Sequence, residues 1–435
     1  MEWNSHGQLE PRGADEWLRT PSAEFARLCP FSPQAADEDE LAAEQFPDVA
    51  RRDEHIGRFC AAYVGHAADD ALRAGGSSGG MVTWVAAELL RRRWADAVVH
   101  VAPPIGDSDP SLFRYQISRS EGEVRRGSRS RYYPIELSSV VASMRAMPGR
   151  YAVIGIPCFI KAIRLLSKED AVLRSRVAYT LGLFCGHMKS ARMVESFAWQ
   201  MRVDPGEVAA IDFRMKDAQR PASWYRAELT LGDGRRVAED WWQFADGDWG
   251  AGFFQSSACN YCDDVVAETA DIAFGDAWVE PYSSDGRGTN VVIVRSQQLD
   301  GIIRAGVETG RLNLEEVDSD FVLRTQEAGF RQRREGLAYR LSWRRRGLKP
   351  RKRVTARSGG ITPRRKLIYR MRALNSRWSH RVFRLADMLR LPAIYIVWAR
   401  AALATYQALA YSRGPLGKLI DALERQLSGK QKGAP

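Results

Sequence analysis

The chain has 435 residues, 45% of them hydrophobic, enough to bury a sizeable core and too apolar for a disordered protein. Six cysteines in so long a chain are too few for a disulfide scaffold, so in a reducing compartment they read as buried thiols, catalytic groups or metal ligands. The net charge of +11 is concentrated: Arg344 to Arg384 holds 16 Lys/Arg and no Asp/Glu.

Residues 1–54 have little periodic pattern and read as a mostly irregular arm. They lack the basic head and apolar run of a secretory signal, which makes the cytoplasm the expected compartment. "GRFCAAYVGHA" predicts a strand, "DDALRAGGSSGG" a helical turn entering a glycine loop, and "MVTWVAAELLRRRW" a helix with Met81, Val82, Val85, Leu89 and Leu90 on one face. "ADAVVHVAP" is a further strand. The same grammar recurs in "YAVIGIPC" followed by "FIKAIRLLSKED", and in "VAYTLGLFC" followed by "SARMVESFAWQM". Apolar strands alternating with helices predict an α/β body with a mainly parallel mixed sheet and flanking helices.

Residues 207–250 break the pattern. "VAAIDFRMK", "SWYRAELTLGDGRRVAED" and "WWQF" predict short strands of an antiparallel insertion, with a tight turn at Gly232-Asp233-Gly234. "DIAFGDAW" and "NVVIVRS" return to strands and "QLDGIIRAGVETG" to a helix, so the body ends near residue 315. Its two parts are taken as 55–150 and 151–315. Residues 316–435 form a basic helical extension, interrupted at Pro350, Gly359, Gly360 and Pro363. Its last apolar run follows Pro392 and contains Arg400, which favours a packed or amphipathic helix over a membrane span.

Cys158 and Cys185 each close an apolar strand where a helix is expected to follow. Neighbouring parallel strands would set them side by side at the carboxyl edge, where helix N-termini favour thiolate. Cys259 and Cys262, in "SACNYC", complete a set of four. Zinc and a [4Fe–4S] cluster both accept four thiolates, and a Cys-x-x-Cys pair alone also suits a redox dithiol. One close pair joined by two distant single cysteines tilts toward iron–sulfur, while spacing leaves zinc open. Cys29 and Cys60 have no paired partner and read as ordinary thiols.

The glycine loop "AGGSSGG" opens directly into a helix, a combination that suits a phosphate: glycines admit close backbone approach, and serine hydroxyls and helix N–H groups donate. A flexible linker is the plainer alternative. The loop also fits G-x-S-x-G, but the segment before it is polar and helical where a nucleophile elbow needs an apolar strand. It is neither a Walker A sequence nor a G-x-G-x-x-G fingerprint.

Taken in order, "GGSSGGMVTWVAAELL", "GIPCFIKAIRLL", "LGLFCGHMKS", "CNYCDDVVAETADIAFGDAW" and "GTNVVIVRS" resemble the coenzyme F420 hydrogenase/dehydrogenase beta-subunit family, which includes a chlorophyll-derivative reductase of plants. The resemblance covers roughly residues 55–310. It implies FAD and at least one [4Fe–4S] cluster, with electrons passing between a ferredoxin-like or hydrogenase-type partner and F420 or another reducible organic substrate. Cys158, Cys185, Cys259 and Cys262 would be the cluster ligands. Ser77, Ser78, Gly79, Gly80 and Thr83 would belong to the flavin site. Arg131 and Tyr132 stand where the family commonly has Lys-Tyr, and Asn290 and Arg295 are further candidates for the same pocket. Asp271 and Asp276 are read first as turn-closing residues. The resemblance assigns no catalytic residue. Residues 1–54 lack the ferredoxin-like run of cysteines that many relatives carry, so the electron donor would be a separate protein. The alternative is a non-enzymatic electron-transfer or assembly subunit of a larger complex.

The basic run carries interleaved aromatics (Trp343, Tyr369, Trp378, Phe383) but no recognised nucleic-acid motif, so nucleic acid is not the expected partner. A solvated face, an acidic donor protein and peripheral contact of residues 344–411 with the inner membrane face are the readings it supports.

Overall fold

A computed structural model describes residues 1–104, 111–343 and 351–431; Pro350 and the start of the basic run, residues 344–350, lie outside the described residues. The principal strands are β1 (Ala61–Ala67), β2 (Ala97–Ala102), β3 (Arg114–Ser118), β4 (Tyr151–Gly155), β5 (Val177–Leu183), β6 (Val208–Met215), β7 (Arg226–Leu231), β8 (Arg236–Asp240), β9 (Ile272–Asp276), β10 (Asn290–Val294) and β11 (Leu312–Val317). Eight of them form one sheet in the order β11-β1-β10-β9-β5-β4-β2-β3. Pairing is parallel from β2 through β4 and β5 to β9 and antiparallel elsewhere, so β1, β2, β4, β5 and β9 share one direction. The α/β expectation holds. β4 and β10 are buried along their whole length, as the unbroken apolar runs require for strands covered on both faces.

β6, β7 and β8 make the expected antiparallel insertion, and Gly234 takes a positive φ in the turn between β7 and β8. "WWQF" is a correction: Trp241–Gln243 form a 3₁₀ turn, because Trp241 turns inward to donate its indole N–H to the Phe213 carbonyl.

The principal helices are α1 (Glu38–Gln45), α2 (Met81–Arg91), α3 (Pro157–Glu169), α4 (Arg192–Gln200), α5 (Gln297–Glu308), α6 (Glu327–Arg333), α7 (Glu335–Trp343), α8 (Pro363–Met388), α9 (Pro392–Tyr411) and α10 (Gly414–Gln431). α1 lies in the arm. Asp37 and Glu40 close a capping box at its start, and its buried Glu38 pairs with the buried Lys161 of α3 at 3.1 Å.

α8 and α9 do not trail away from the body. Phe383, Tyr395, Ala399 and Tyr406 share one apolar core with Phe213 and Leu229 of the insertion, Phe197 of α4, and Phe253 and Phe254. Full burial of side chains this size contributes roughly 1.5–3 kcal/mol each. Pro392 opens α9, which packs against that core as expected, and no described helix is long and apolar enough to cross a membrane. The basic run is also less uncompensated than its sequence implies. Arg351 pairs with Glu40, Lys352 with Asp263, Arg353 with Glu268, and Arg364 with Asp421 and Glu424.

Candidate functional site

Cys158 and Cys185 follow the carboxyl ends of β4 and β5, and those strands are adjacent and parallel, with Gly155 opposite Gly182. Cys158 sits in the first turn of α3, behind Pro157. Cys185 differs from expectation, because the loop Gly186–Ala191 separates it from α4. That loop is strapped to the Cys259–Cys262 segment. The Cys185 N–H donates to the Val265 carbonyl at 2.9 Å, the Ser256 N–H to Met188 at 2.9 Å, and the Met188 N–H to the Cys259 sulfur at 3.3 Å. A bridge between Lys189 and Gln255 completes the strap. All four thiols therefore share one neighbourhood, close enough that each of the other three helps raise the Cys158 pKa.

Burial is the larger cause of that rise. It pushes Cys185 up to about 12 and Cys158 well above its ordinary range, so the helix N-terminus does not prevail at Cys158. The counterweight is Arg333, at the end of α6. Burial works against its charge, but Cys262, Cys185 and Cys259 outweigh that and hold the guanidinium protonated. Arg333 donates to the carbonyls of Cys185 (3.0 Å) and Gly186 (2.6 Å), while its Nη1 is buried without a hydrogen-bond partner. Among the described residues, no three His, Cys, Asp or Glu side chains are grouped so as to hold a single metal ion.

At the same sheet edge, the glycine loop leaves β1 and enters α2. Gly80 caps α2 with φ 80°, and a Cβ there would meet the Leu72 carbonyl oxygen at 2.7 Å. Gly79 lies against the Gly65 carbonyl and Asn290, with room for neither a methyl group nor a longer side chain. Ser77 Oγ accepts from the Ser130 N–H at 2.8 Å, and Thr83 Oγ1 bonds Ser128 Oγ at 2.8 Å. These contacts bring the Arg131–Tyr132 segment onto the loop. Ser78 Oγ donates to the Thr289 carbonyl, and Asn290 Oδ1 accepts from the Met81 N–H while its Nδ2 donates to Gly275, so Asn290 fixes the start of α2.

Arg131 lies over the Phe113 ring at 4.8 Å, with its Nε buried and unpartnered. Tyr132 leads toward the thiols: its ring is 4.7 Å from Trp249, which stacks on His187 at 4.2 Å and 19°. His187 is two residues from Cys185. Gly186 permits the stack, because a Cβ there would come within 2.4 Å of the Trp249 indole nitrogen.

Arg295 is not brought to this edge. It follows the far end of β10, where its guanidinium donates to the carbonyls of Ala270 and Ile56. Asp271 closes structure at that far edge, accepting from Thr180 and pairing with Arg164 at 2.9 Å. Asp276 faces the working edge and is gripped by Arg214 at 3.0 Å. Cys60 donates to the Arg295 carbonyl, away from the other thiols. Sequence reasoning missed Arg214, Lys216 and Arg333. Lys216 donates to the carbonyls of Arg73, Ser78 and Arg287, pinning the glycine loop, and burial first, then Arg129 and Arg214, lowers its pKa to about 8. The alternation of "IDFRMK" signals a strand with Asp212, Arg214 and Lys216 on its polar face, and only β6 packing against the loop reveals the target of the two cations.

Comparison with known proteins places this geometry. Residues 62–142 match the model for the N-terminal part of the "Coenzyme F420 hydrogenase/dehydrogenase, beta subunit", and residues 149–320 match the model for its C terminus. A search of curated proteins gave no match. Among solved structures, a chain of the F420-reducing [NiFe] hydrogenase complex from Methanosarcina barkeri shares the fold, with 17% identity and a TM-score of 0.52 over 69% of this chain and 99% of that one. With more than half of its residues matched in order by the two models, the chain belongs to the coenzyme F420 hydrogenase/dehydrogenase beta-subunit family of oxidoreductases.

Proposed function

We propose that the protein is a flavin- and [4Fe–4S]-dependent oxidoreductase that passes electrons between a ferredoxin-like partner and F420 or another reducible organic substrate. The observation that carries this reading is the gathering of Cys158, Cys185, Cys259 and Cys262 around the partly unpartnered Arg333, with the glycine loop at the same sheet edge. Four thiols that share a neighbourhood match in number the four thiolates of a four-iron cluster, one per iron. A single zinc ion needs all four sulfurs about 2.3 Å from one centre. The Arg333 charge favours the thiolate forms that any such ligation requires.

The flavin assignment rests on the loop of Ser77, Ser78, Gly79 and Gly80, its tie to Arg131 and Tyr132, and the unpartnered Nε atoms of Arg131 and Arg214. Asn290 and Thr83 would support that pocket rather than line it, and Arg295 has no part in it. A flavin exchanges hydride equivalents for single electrons, the currency of an iron–sulfur cluster. Tyr132, Trp249 and His187 supply continuous aromatic contact between the two places.

Anaerobically purified protein should carry flavin and about four irons per chain, show a broad shoulder near ~400 nm that bleaches on reduction, and exchange electrons with F420 or a related acceptor. Iron-free, colourless protein would overturn the proposal, and zinc at one per chain would replace the cluster with a structural ion. A second reading is favoured by the solved relative being one chain of a hydrogenase complex. A cofactor-loaded protein that reduces no free acceptor would identify an electron-transfer subunit serving a partner's active site.

A further inference from the structure

We propose that the outward face of α8 is a docking surface for an anionic lipid bilayer. α8 buries one side through Ile368, Ser379, Phe383 and Ala386. Its opposite side is also apolar. At 3.6 residues per turn, Leu367, Leu374, Trp378 and Leu385 fall within about 40° of one line. They are 51%, 48%, 44% and 49% exposed. Met388 and Leu389, 69% and 53% exposed, carry the stripe to roughly 33 Å at 1.5 Å per residue.

Arg377, Arg381 and Arg384 are exposed along one flank of this stripe, and among the described residues none of them forms an ion pair with a carboxylate, whereas Arg370 on the same flank is held by the Tyr339 hydroxyl at 2.8 Å. Arg381 lies over the Trp378 ring at 5.3 Å. The helix contains a single acid, Asp387, which projects away from the stripe toward Arg192. Arg351, Lys352, Arg353 and Arg364 of the same basic run have carboxylate partners, in contrast to Arg377, Arg381 and Arg384 beside the exposed leucines.

The occupant follows from shape and sign. An antiparallel second copy of α8 would set one arginine row near another, a like-charge contact that disfavours pairing. A straight apolar ridge flanked by guanidinium groups meets a flat surface along its whole length. Arginine stems can lie on the apolar layer while their heads reach lipid phosphates, and Trp378 is suited to the interface between them. Each arginine near an anionic surface adds about 1 kcal/mol, close to a factor of five in affinity. α8 lies beyond residue 320, outside the matched family region, so this surface is independent of the redox proposal.

Full-length protein should float with vesicles of phosphatidylcholine containing one quarter phosphatidylglycerol at low salt, and not with phosphatidylcholine alone. Arg377→Gln with Arg381→Gln and Arg384→Gln should weaken binding about a hundredfold, and Leu374→Glu with Trp378→Glu should abolish it. All these positions are exposed, and an unchanged thermal melt would verify that the variants are folded. Wild type that stays unbound, or folded variants that bind as tightly as wild type, would overturn the proposal. So would a wild-type dimer that light scattering shows to be split by Trp378→Glu, since the stripe would then belong to a second copy.

Discussion

The family-matched body, residues 62–320, and the helices beyond it bury charge in different ways. In the body, Arg214 holds Asp276 and Arg164 holds Asp271, pairs that join strands of the sheet to neighbouring elements. In the extension, Arg333, Arg340, Lys352 and Arg353 reach back to Cys185 and Gly186, Asn260, Asp263 and Glu268. Asn375, Ser376 and Ser379 do likewise for the backbone of Ala251, Gln255 and Phe254. The body supplies the thiols, and the extension supplies donors and cations that hold the loop carrying two of them. A segment outside the residues matched by the family models braces a candidate site inside them.

The severest way to break this comparison is to delete the brace. A chain ending at residue 320 should lose cooperative folding, because Phe253 and Phe254 would lose their cover and the carbonyls of Ala251, Gln255 and Asn260 their donors. Circular dichroism melts of the truncated and full chains would show it; an unchanged transition would make the extension a passive appendage.

A single substitution tests the same dependence. Lys352 and Asp263 are both buried, at 2% and 0% exposure, and meet at 3.1 Å. Burial alone would raise the Asp263 pKa, but Lys352 and Arg353 overcome it and hold the carboxyl down near 2. Lys352→Met removes the nearer of the two cations on Asp263 and leaves Arg353 at 3.6 Å, so it should cost less than the about 3–5 kcal/mol of a fully unpaired buried charge, read from denaturant midpoints. Lys352→Arg should recover part of that loss.

Acid should probe both regions at once. Burial pushes His100 in the body and His380 in the extension down to about 4, against 6.5 in the unfolded chain. Between those values the unfolded state binds protons that the native state refuses, so stability is full above pH 6.5 and falls toward pH 4. Each histidine contributes on the order of 3 kcal/mol to that fall. His100→Gln and His380→Asn should each shrink the acid slope of one common transition. An early, separate transition sensitive to His380 alone would show that the extension melts independently.

The sequence made the two regions unequally legible. β1, β2, β4, β5, β9 and β10 are apolar runs, and their order with the helices predicts the sheet. β3 ("RYQIS") and β11 ("LNLEEV") escaped because they are edge strands whose polar residues face outward and dilute the apolar signal. The convergence of Cys158 with Cys185 was readable because parallel neighbours bring their carboxyl ends together. Arg333 was not, since one arginine in "GFRQRREGL" is indistinguishable from its neighbours until α6 is laid against the cysteine loop. The basic run misled for a related reason. Asp263 and Glu268, which neutralise Lys352 and Arg353, lie far away in sequence.

The mildest prediction compares one serine from each region. Ser379 Oγ accepts from the buried Phe254 N–H at 2.9 Å, and Phe254 holds φ 53°, a left-handed conformation that costs a bulky side chain energy. In the body, Ser78 Oγ donates to the Thr289 carbonyl at 2.9 Å. Ser379→Ala strands a buried donor on a strained residue and should cost roughly 1–2 kcal/mol. Ser78→Ala leaves a carbonyl short of one bond, and a carbonyl tolerates partial satisfaction better than an N–H does, so its cost should be about 0.5–1 kcal/mol. Paired denaturant titrations would show the order, and a reversed ranking would mean that the glycine loop depends on its serine more than the cysteine loop depends on its brace.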